Sequence, residues 1–275
     1  MPHAEHPSIF EDDFLRKSPG CLDGQIIKRK LSARGAYSNF RANPLVQLKV
    51  LAAGTLNTTG GGAATGAAGD ENRMLLADEY FEYHILGTQT ILYPTRAATG
   101  LDLNMDQTDN DGIELGNGIL EGSRGSFKIG TDAAFYGKFK FSIADVSGTD
   151  DCAFGFRKAA DYAANIDDNT DQAALNVISG DIKIETILNN AATTVTDTTD
   201  NWADGETHTL EVYVSAAGVV TYKIDGRAPT VTAAFTFDDG DVVVPFFFFL
   251  NAADVAGAVV AIEWEVDFQA SPPGT

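Results

Sequence analysis

The chain has 275 residues, 44% of them apolar, which suits one large all-β domain with an arm or two modest domains. Its 39 acidic and 19 basic residues give a net charge of −20, which argues against nucleic acid or an anionic membrane as the main partner. The N-terminal residues lack the basic region followed by an apolar region that is typical of a signal peptide. No apolar run reaches the roughly eighteen residues needed to cross a membrane. We therefore expect synthesis in a cytoplasm. Cys21 and Cys152 are too few for a disulfide framework, and whether they pair stays open.

The first fifty residues differ from the rest in charge. They carry eight basic and five acidic side chains, a net +3, so the remainder carries −23. Their apolar residues show no sustained period, which predicts an N-terminal arm over 1–53 that is ordered by what it contacts. A solvated surface with chance clustering of charge is the alternative. The residues expected to bind a partner are Phe10, Phe14, Leu15, Lys28, Arg29, Lys30, Arg34, Leu45, Val46 and Leu48.

The stretch 54–77 is rich in Gly, Ala and Thr and predicts a flexible connection. From about residue 78 the apolar residues alternate with polar ones, as in 138–143, 209–214 and 262–269. The segment 219–225 alternates as well and follows a short turn, which predicts a hairpin. These strands predict a two-sheet antiparallel sandwich over 78–270, followed by a short tail at 271–275.

Two segments depart from this alternation. Residues 242–250 are apolar on both faces, so we expect cover from a second sheet on one side and from a subunit or the arm on the other. Pro245 removes a ladder donor and predicts a bulge or a strand entry. Residues 158–177 fit either a short helix or a long loop rich in Asp and Asn.

Residues 201–212, with Asn201, Trp202, Asp204, Gly205 and His208, resemble the concanavalin A-like and laminin G-like superfamily, as does the hairpin ending in Asp225 and Gly226. In that superfamily an Asp-Gly turn leads into such a strand, although Thr207 stands here where Trp is common. The resemblance implies a jelly roll over about 80–268 and a structural role for His208. It implies almost nothing about function.

A second resemblance, to structural proteins of tailed bacteriophages, is carried by 135–141, 143–148 and 154–158. It implies a capsid decoration or cement protein on the virion surface that binds the major capsid protein and itself, as a homotrimer. The alternative is a lectin-like module that binds surface glycans. A hydrolase is the third hypothesis.

The segment Glu265-Val-Asp-Phe-Gln269 resembles the Glu-x-Asp-x-Glu strand of laminarinase-type glycoside hydrolases, but Gln269 stands at the general acid and cannot donate a proton there. We therefore expect a solvated acidic face, no catalytic residue and no enzyme activity. No cofactor motif occurs. Asp106, Asp109 and Asp111 form a possible cation loop, with ordinary Asx turns as the alternative.

Overall fold

The computed structural model describes residues 36–39, 49–52, 72–76, 79–88, 94–97, 99–103, 108–118, 125–252 and 259–269. These residues form two antiparallel sheets that share one apolar core, which confirms the expected all-β jelly-roll sandwich. No helix in the described ranges is long and apolar enough to cross a membrane.

The larger sheet contains, in chain order, β2 (Lys49–Ala52), β3 (Asn72–Leu76), β4 (Glu79–Leu86), β7 (Gly112–Gly116), β8 (Phe127–Lys128), β10 (Thr149–Lys158), β11 (Gln172–Ile178), β12 (Asp181–Ile187), β13 (Thr194–Asn201) and β17 (Val242–Asn251). Its strand order is β13-β12-β11-β10-β17-β7-β4-β3-β2, and β8 pairs with β17 beside β7.

The smaller sheet contains β1 (Ala36–Asn39), β5 (Thr95–Ala97), β6 (Gly100–Asp102), β9 (Phe135–Ile143), β14 (Thr207–Val214), β15 (Val219–Ile224), β16 (Phe235–Thr236) and β18 (Val259–Phe268). Its strand order is β16-β15-β14-β9-β18-β6-β5, with β1 on β18.

The core between the sheets is aromatic. Phe139 of β9 has its ring centroid 4.8 Å from that of Phe247 in β17 and 5.3 Å from that of Trp264 in β18. Phe141 lies 4.6 Å from Trp202, which is 2% exposed. Because each large ring removes much apolar surface from water, these contacts account for much of the attraction between the sheets.

The predicted hairpin is present, with β14 and β15 paired from Leu210 opposite Ile224 to Val214 opposite Val220. Strand β18 departs from simple alternation. Its ladder with β9 shifts register between Ala261 and Glu263, so that Ala261 and Trp264, three residues apart, both face the core.

Strand β17 is covered on both sides, as its composition predicts. Phe247 and Phe249 join the core, while Phe246 and Phe248 lie on the opposite face in a small cluster with Ile166. The second cover therefore includes a segment of the same chain, where a subunit or the arm was expected. The need for cover on this strand no longer argues for a trimer.

The bulge or strand entry predicted at Pro245 is absent, since the ladder with β10 runs through Pro245 without a register shift and β17 begins upstream of it, at Val242. On one side β17 pairs with β7 from Phe246 onward and with β8 up to Val243. Pro245 lies in the gap between these two partners. A residue without an N–H costs no ladder hydrogen bond at that position.

Three strands precede the domain boundary predicted at residue 78. Strand β1 pairs with β18, β2 pairs with β3, and β3 pairs with β4. The domain boundaries at 53 and 77 stay predictions. The two sheets, however, include strands upstream of residue 78, where the alternating pattern begins.

Candidate functional site

The arm residues predicted to bind a partner, from Phe10 to Leu48, all lie outside the described residues, and so does Asp106 of the possible cation loop. The capsid-protein and homotrimer partners therefore stay predictions. Asp109 is exposed, whereas Asp111 is 3% exposed and accepts a hydrogen bond from the backbone N–H of Thr88 at 2.6 Å. In the described part of the chain no three acidic, His or Cys side chains are grouped as a metal site.

The acidic residues of β18 do not form the solvated face that the sequence predicted. Glu265 is 4% and Asp267 8% exposed, and the hydroxyl of Tyr136 donates to the Glu265 carboxylate. Glu265 lies opposite Lys138 in the ladder, and Lys138 also forms an ion pair with Glu211 at 3.3 Å. Glu265 and Glu211 therefore belong to a row of alternating charge across the smaller sheet, which accounts for them structurally.

Trp202 and His208 have structural roles. Trp202 packs in the core, and its Nε1 donates to the carbonyl of Glu206. His208 lies between two carboxylates, with Nδ1 2.6 Å from Asp225 and Nε2 3.0 Å from Glu206. Burial lowers the pKa of His208, but the hydrogen bonds to both carboxylates outweigh it and hold the pKa above its usual 6.5. Tyr213, the other aromatic considered for sugar stacking, is 6% exposed.

The strongest grouping of polar side chains lies where no motif pointed, on the face of the larger sheet turned away from the core, here called the outer face. Side chains alternate along a strand, so the inward Phe154 and Phe156 of β10 leave Asp151 and Arg157 outward. Asn176 of β11 and Glu185 of β12 lie on the same face. Residues 159–171, here called the strap, connect β10 to β11.

Asp151, Asn176 and Glu185 form what we call the carboxylate cluster. The Nδ2 of Asn176 donates to Asp151 Oδ1 and to Glu185 Oε2, both at 2.7 Å. Its Oδ1 accepts the backbone N–H of Cys152 at 2.8 Å, which fixes the orientation of the amide. The Nε2 of Gln172 donates to Glu185 Oε1 at 3.2 Å, so both Glu185 oxygens are engaged. Asp151 remains partly exposed.

Both carboxyls of the cluster hold protons more tightly than usual. Burial raises the pKa of Glu185 from 4.5 to about 7, with Asp151 and Asp167 adding to the rise and Asn176 opposing it. Burial likewise raises the pKa of Asp151 from 3.8 to about 6, again against the Asn176 hydrogen bond. Two carboxyls that share one amide donor in a poorly solvated place therefore titrate near neutral pH.

A buried ion pair occupies the other end of the outer face. Arg157 Nε lies 2.7 Å from Glu114 Oε1, and the two side chains are 1% and 2% exposed. Arg157 Nη1 donates to the carbonyls of Lys158 and Ala160, where the strap begins. Burial raises the pKa of Glu114, while the guanidinium opposes the rise.

The strap lies against the outer face between these two groups. The Tyr162 ring stacks on His84 of β4 at 5.2 Å and lies 5.9 Å from the guanidinium carbon of Arg157. Ile166, in the 3-10 turn Ile166–Asp168, packs with Phe246 and Phe248. The helix alternative for 158–177 is therefore wrong. The loop alternative is correct for 159–171, which holds only this short turn, but 158 ends β10 and 172–177 belong to β11.

No protein-family model and no curated protein matches the chain. Solved structures similar to it include the carbohydrate recognition domain of Emp47p, with 11% identity, a TM-score of 0.48 and coverage of 70% of this chain and 90% of that one. Lectin II from Ulex europaeus has 13% identity and a TM-score of 0.47 over 68% of this chain and 92% of that one. An alginate lyase from Pseudomonas aeruginosa has 14% identity and a TM-score of 0.40 over 64% and 86%. At these values the likeness carries no argument about function.

Proposed function

We propose that the protein is a carbohydrate-binding, lectin-like module and that its glycan site lies on the outer face of the larger sheet, beside the carboxylate cluster. The observation that carries the proposal is the fixed geometry of Asp151. One of its oxygens is held by Asn176, and the side chain is still partly exposed. A carboxylate oriented by a buried amide is a preorganised acceptor for sugar hydroxyls.

The surroundings of Asp151 suit a polar, uncharged ligand. Lys183 of β12 lies opposite Asn176 in one ladder and opposite Asp197 in the next, so donors and acceptors alternate across the exposed edge. The exposed Val195 adds an apolar surface beside them. Because the whole chain carries −20, polyanionic glycans are repelled and neutral glycans are favoured.

The test is a glycan array, followed by calorimetric titration of each neutral glycan that binds. Asp151→Asn keeps the acceptor that Asn176 needs and removes only the charge, and we expect it to weaken binding about tenfold, the loss typical of one charge-assisted hydrogen bond. The control is Asp239→Asn, in the exposed turn before β17. Absence of any bound glycan, or equal affinities for both variants, contradicts the proposal.

A second candidate is acid–base chemistry on a bound glycan, which the raised pKa values of Asp151 and Glu185 favour, because such pairs suit proton transfer near neutral pH. Incubation with each glycan that binds, followed by an assay for new reducing ends, separates the two candidates. A module that only binds releases none, and release that disappears in Glu185→Gln supports the second.

A further inference from the structure

The middle of the strap brings a carboxylate next to the carboxylate cluster. Asp167, in the 3-10 turn of the strap, accepts a hydrogen bond from the hydroxyl of Thr193 on its Oδ1 at 2.6 Å, which orients the side chain. Hydrogen bonds also join the strap to the cluster, because the Nδ2 of Asn169 donates to Gln172 Oε1 at 2.8 Å and Gln172 donates to Glu185. The turn and the cluster therefore form one continuous polar region of the outer face.

The charge of Asp167 opposes ionisation of the cluster. Burial is the main cause that raises the pKa of Asp151 and of Glu185, and the nearby charge of Asp167 adds to both rises. Such a coupling is reciprocal, so the ionised carboxyls disfavour Asp167 at its place by the same free energy. Movement of the strap away from the sheet relieves the repulsion. Ionisation of the cluster therefore favours a displaced strap.

The charges that face the cluster from the neighbouring elements do not reverse this repulsion. Asp150 of β10 acts on the cluster in the same direction as Asp167. Strands β11 and β17 carry no charged side chain. Lys183, the cation of β12, forms an ion pair with Asp181 at 3.9 Å and lies opposite Asp197 of β13 in the ladder. The ionised cluster therefore meets more negative than positive charge.

The two ends of the strap are anchored. At its start, two backbone carbonyls accept hydrogen bonds from Arg157, whose charge is paired with Glu114, and His84 of β4 stacks on the tyrosine of the strap. At its end, Asp171 forms an ion pair with Lys158 at 3.5 Å. Both cations are thus paired with carboxylates outside the cluster. A displacement of the strap therefore concerns its middle, over 163–170.

We propose that the strap is a pH-sensitive cover of the outer face, which stays closed while Asp151 and Glu185 hold their protons and is displaced by repulsion of Asp167 once both are ionised. Displacement uncovers Phe246 and Phe248, on which Ile166 packs in the closed form. As regulation of the proposed glycan site, the inference rests on the proposed function, but the movement itself can be measured without any glycan.

The first experiment follows amide exchange by NMR in the unaltered protein at pH 5 and pH 8, with rates corrected for the intrinsic effect of pH. The amides of Asp168 and Asn169 donate within the strap, and that of Asn190 donates to the carbonyl of Thr170 at 2.7 Å, so it reports release of the strap from a neighbouring loop. We expect the protection of all three to fall roughly tenfold, the effect of one pKa unit of coupling. Their protection should stay below that of the β10–β11 ladder.

The second experiment compares two variants of the exposed turn. Asp167→Asn keeps an acceptor for Thr193 and removes the charge, so its strap should keep at pH 8 the protection that it has at pH 5. The control Asp168→Asn removes the neighbouring charge of the same turn and should lose protection as the unaltered protein does. Equal behaviour of the two variants, no effect of pH on the unaltered strap, or strap protection equal to that of the ladder overturns the proposal.

The link to the glycan site has its own measurement. Calorimetric titration at pH 8 should give several-fold weaker glycan binding to Asp167→Asn, whose strap stays closed, than to Asp168→Asn. Equal affinities would overturn the regulatory role of the strap. If no glycan binds at either pH, the proposed function fails, and the exchange rates still decide whether the strap moves.

Discussion

Asp151 and Glu185 make the stability of the protein depend on pH in an unusual direction. In the unfolded chain these carboxyls ionise near their usual values of 3.8 and 4.5, whereas in the folded protein they hold protons to about pH 6 and 7. Between about pH 4 and 7 the folded state therefore binds more protons than the unfolded state. The contribution to the free energy of unfolding is largest at low pH and is lost as pH rises through this window.

We predict that urea denaturation gives a free energy of unfolding that falls by on the order of 4 kcal/mol from pH 5 to pH 8 through these two groups. Glu185→Gln removes one of the two titrations and should flatten the slope. The control is Asp239→Asn, which changes an exposed carboxylate outside the cluster. Parallel pH profiles for Glu185→Gln and the unaltered protein would show that Glu185 ionises normally.

The residues of the outer face could have been suspected from sequence but not assembled. Gln172 and Asn176 are polar residues in the otherwise apolar strand β11, and their spacing puts both side chains on the same face. Arg157 is likewise a polar residue among apolar ones in β10. Polar residues at such positions indicate a buried polar group rather than a solvated face. Which of them meet depends on ladders between strands far apart in the chain, as with Glu114 and Arg157, and local patterns do not determine that pairing.

At the level of single elements, sequence reasoning succeeded where one face of a strand is polar. The alternation in β9, β14 and β15 predicted both the strands and the face that each one buries. Prediction from the alternating pattern was less reliable for strands that are buried on both faces or whose register shifts. The cover of β17 by the strap and the shifted register of β18 both depend on packing between distant segments.

Ile166 packs the strap against Phe246 and Phe248 of β17. We predict that Ile166→Ala removes its contact with Phe246 and Phe248, speeds amide exchange across 163–169 and leaves exchange in β10 and β11 unchanged. The loss of global stability should be about 1–2 kcal/mol, below the usual core value, because a loop can relax into the space. Hydrogen exchange followed by mass spectrometry measures both regions in one experiment.

The matched control for the strap is Val195→Ala, since Val195 is 51% exposed and its truncation should cost less than about 0.5 kcal/mol. Uniform acceleration of exchange across β10, the strap and β11 in Ile166→Ala would mean that the strap opens only with the whole domain.

At the scale of the whole molecule, the upstream strands test where the domain begins. A chain starting near residue 70 lacks β1, which pairs with Val266, Glu265, Trp264 and Glu263 of β18, and lacks β2 beside β3. We predict that it still melts cooperatively, but at a lower temperature than a chain starting near residue 30, which keeps both strands. Calorimetry measures the difference.

The same truncation leaves two strand edges unpaired, and unpaired edges promote association. Light scattering should therefore show a greater tendency of the shorter chain to aggregate. Equal melting temperatures and equal scattering for the two chains would mean that β1 and β2 add nothing to the sandwich, and that the predicted boundary near residue 78 describes the folding unit.

The places of β17 and β18 in the two sheets also bear on how the protein is made. In the larger sheet β17 joins β10 to β7, and in the smaller sheet β18 joins β9 to β6, so each sheet consists of two halves connected by a strand that follows both in the chain. On the ribosome, the nascent polypeptide can form its local hairpins early. Neither sheet can close until residues 242–268 have emerged, and until then half-sheets with open edges stay exposed to misassembly and to chaperones.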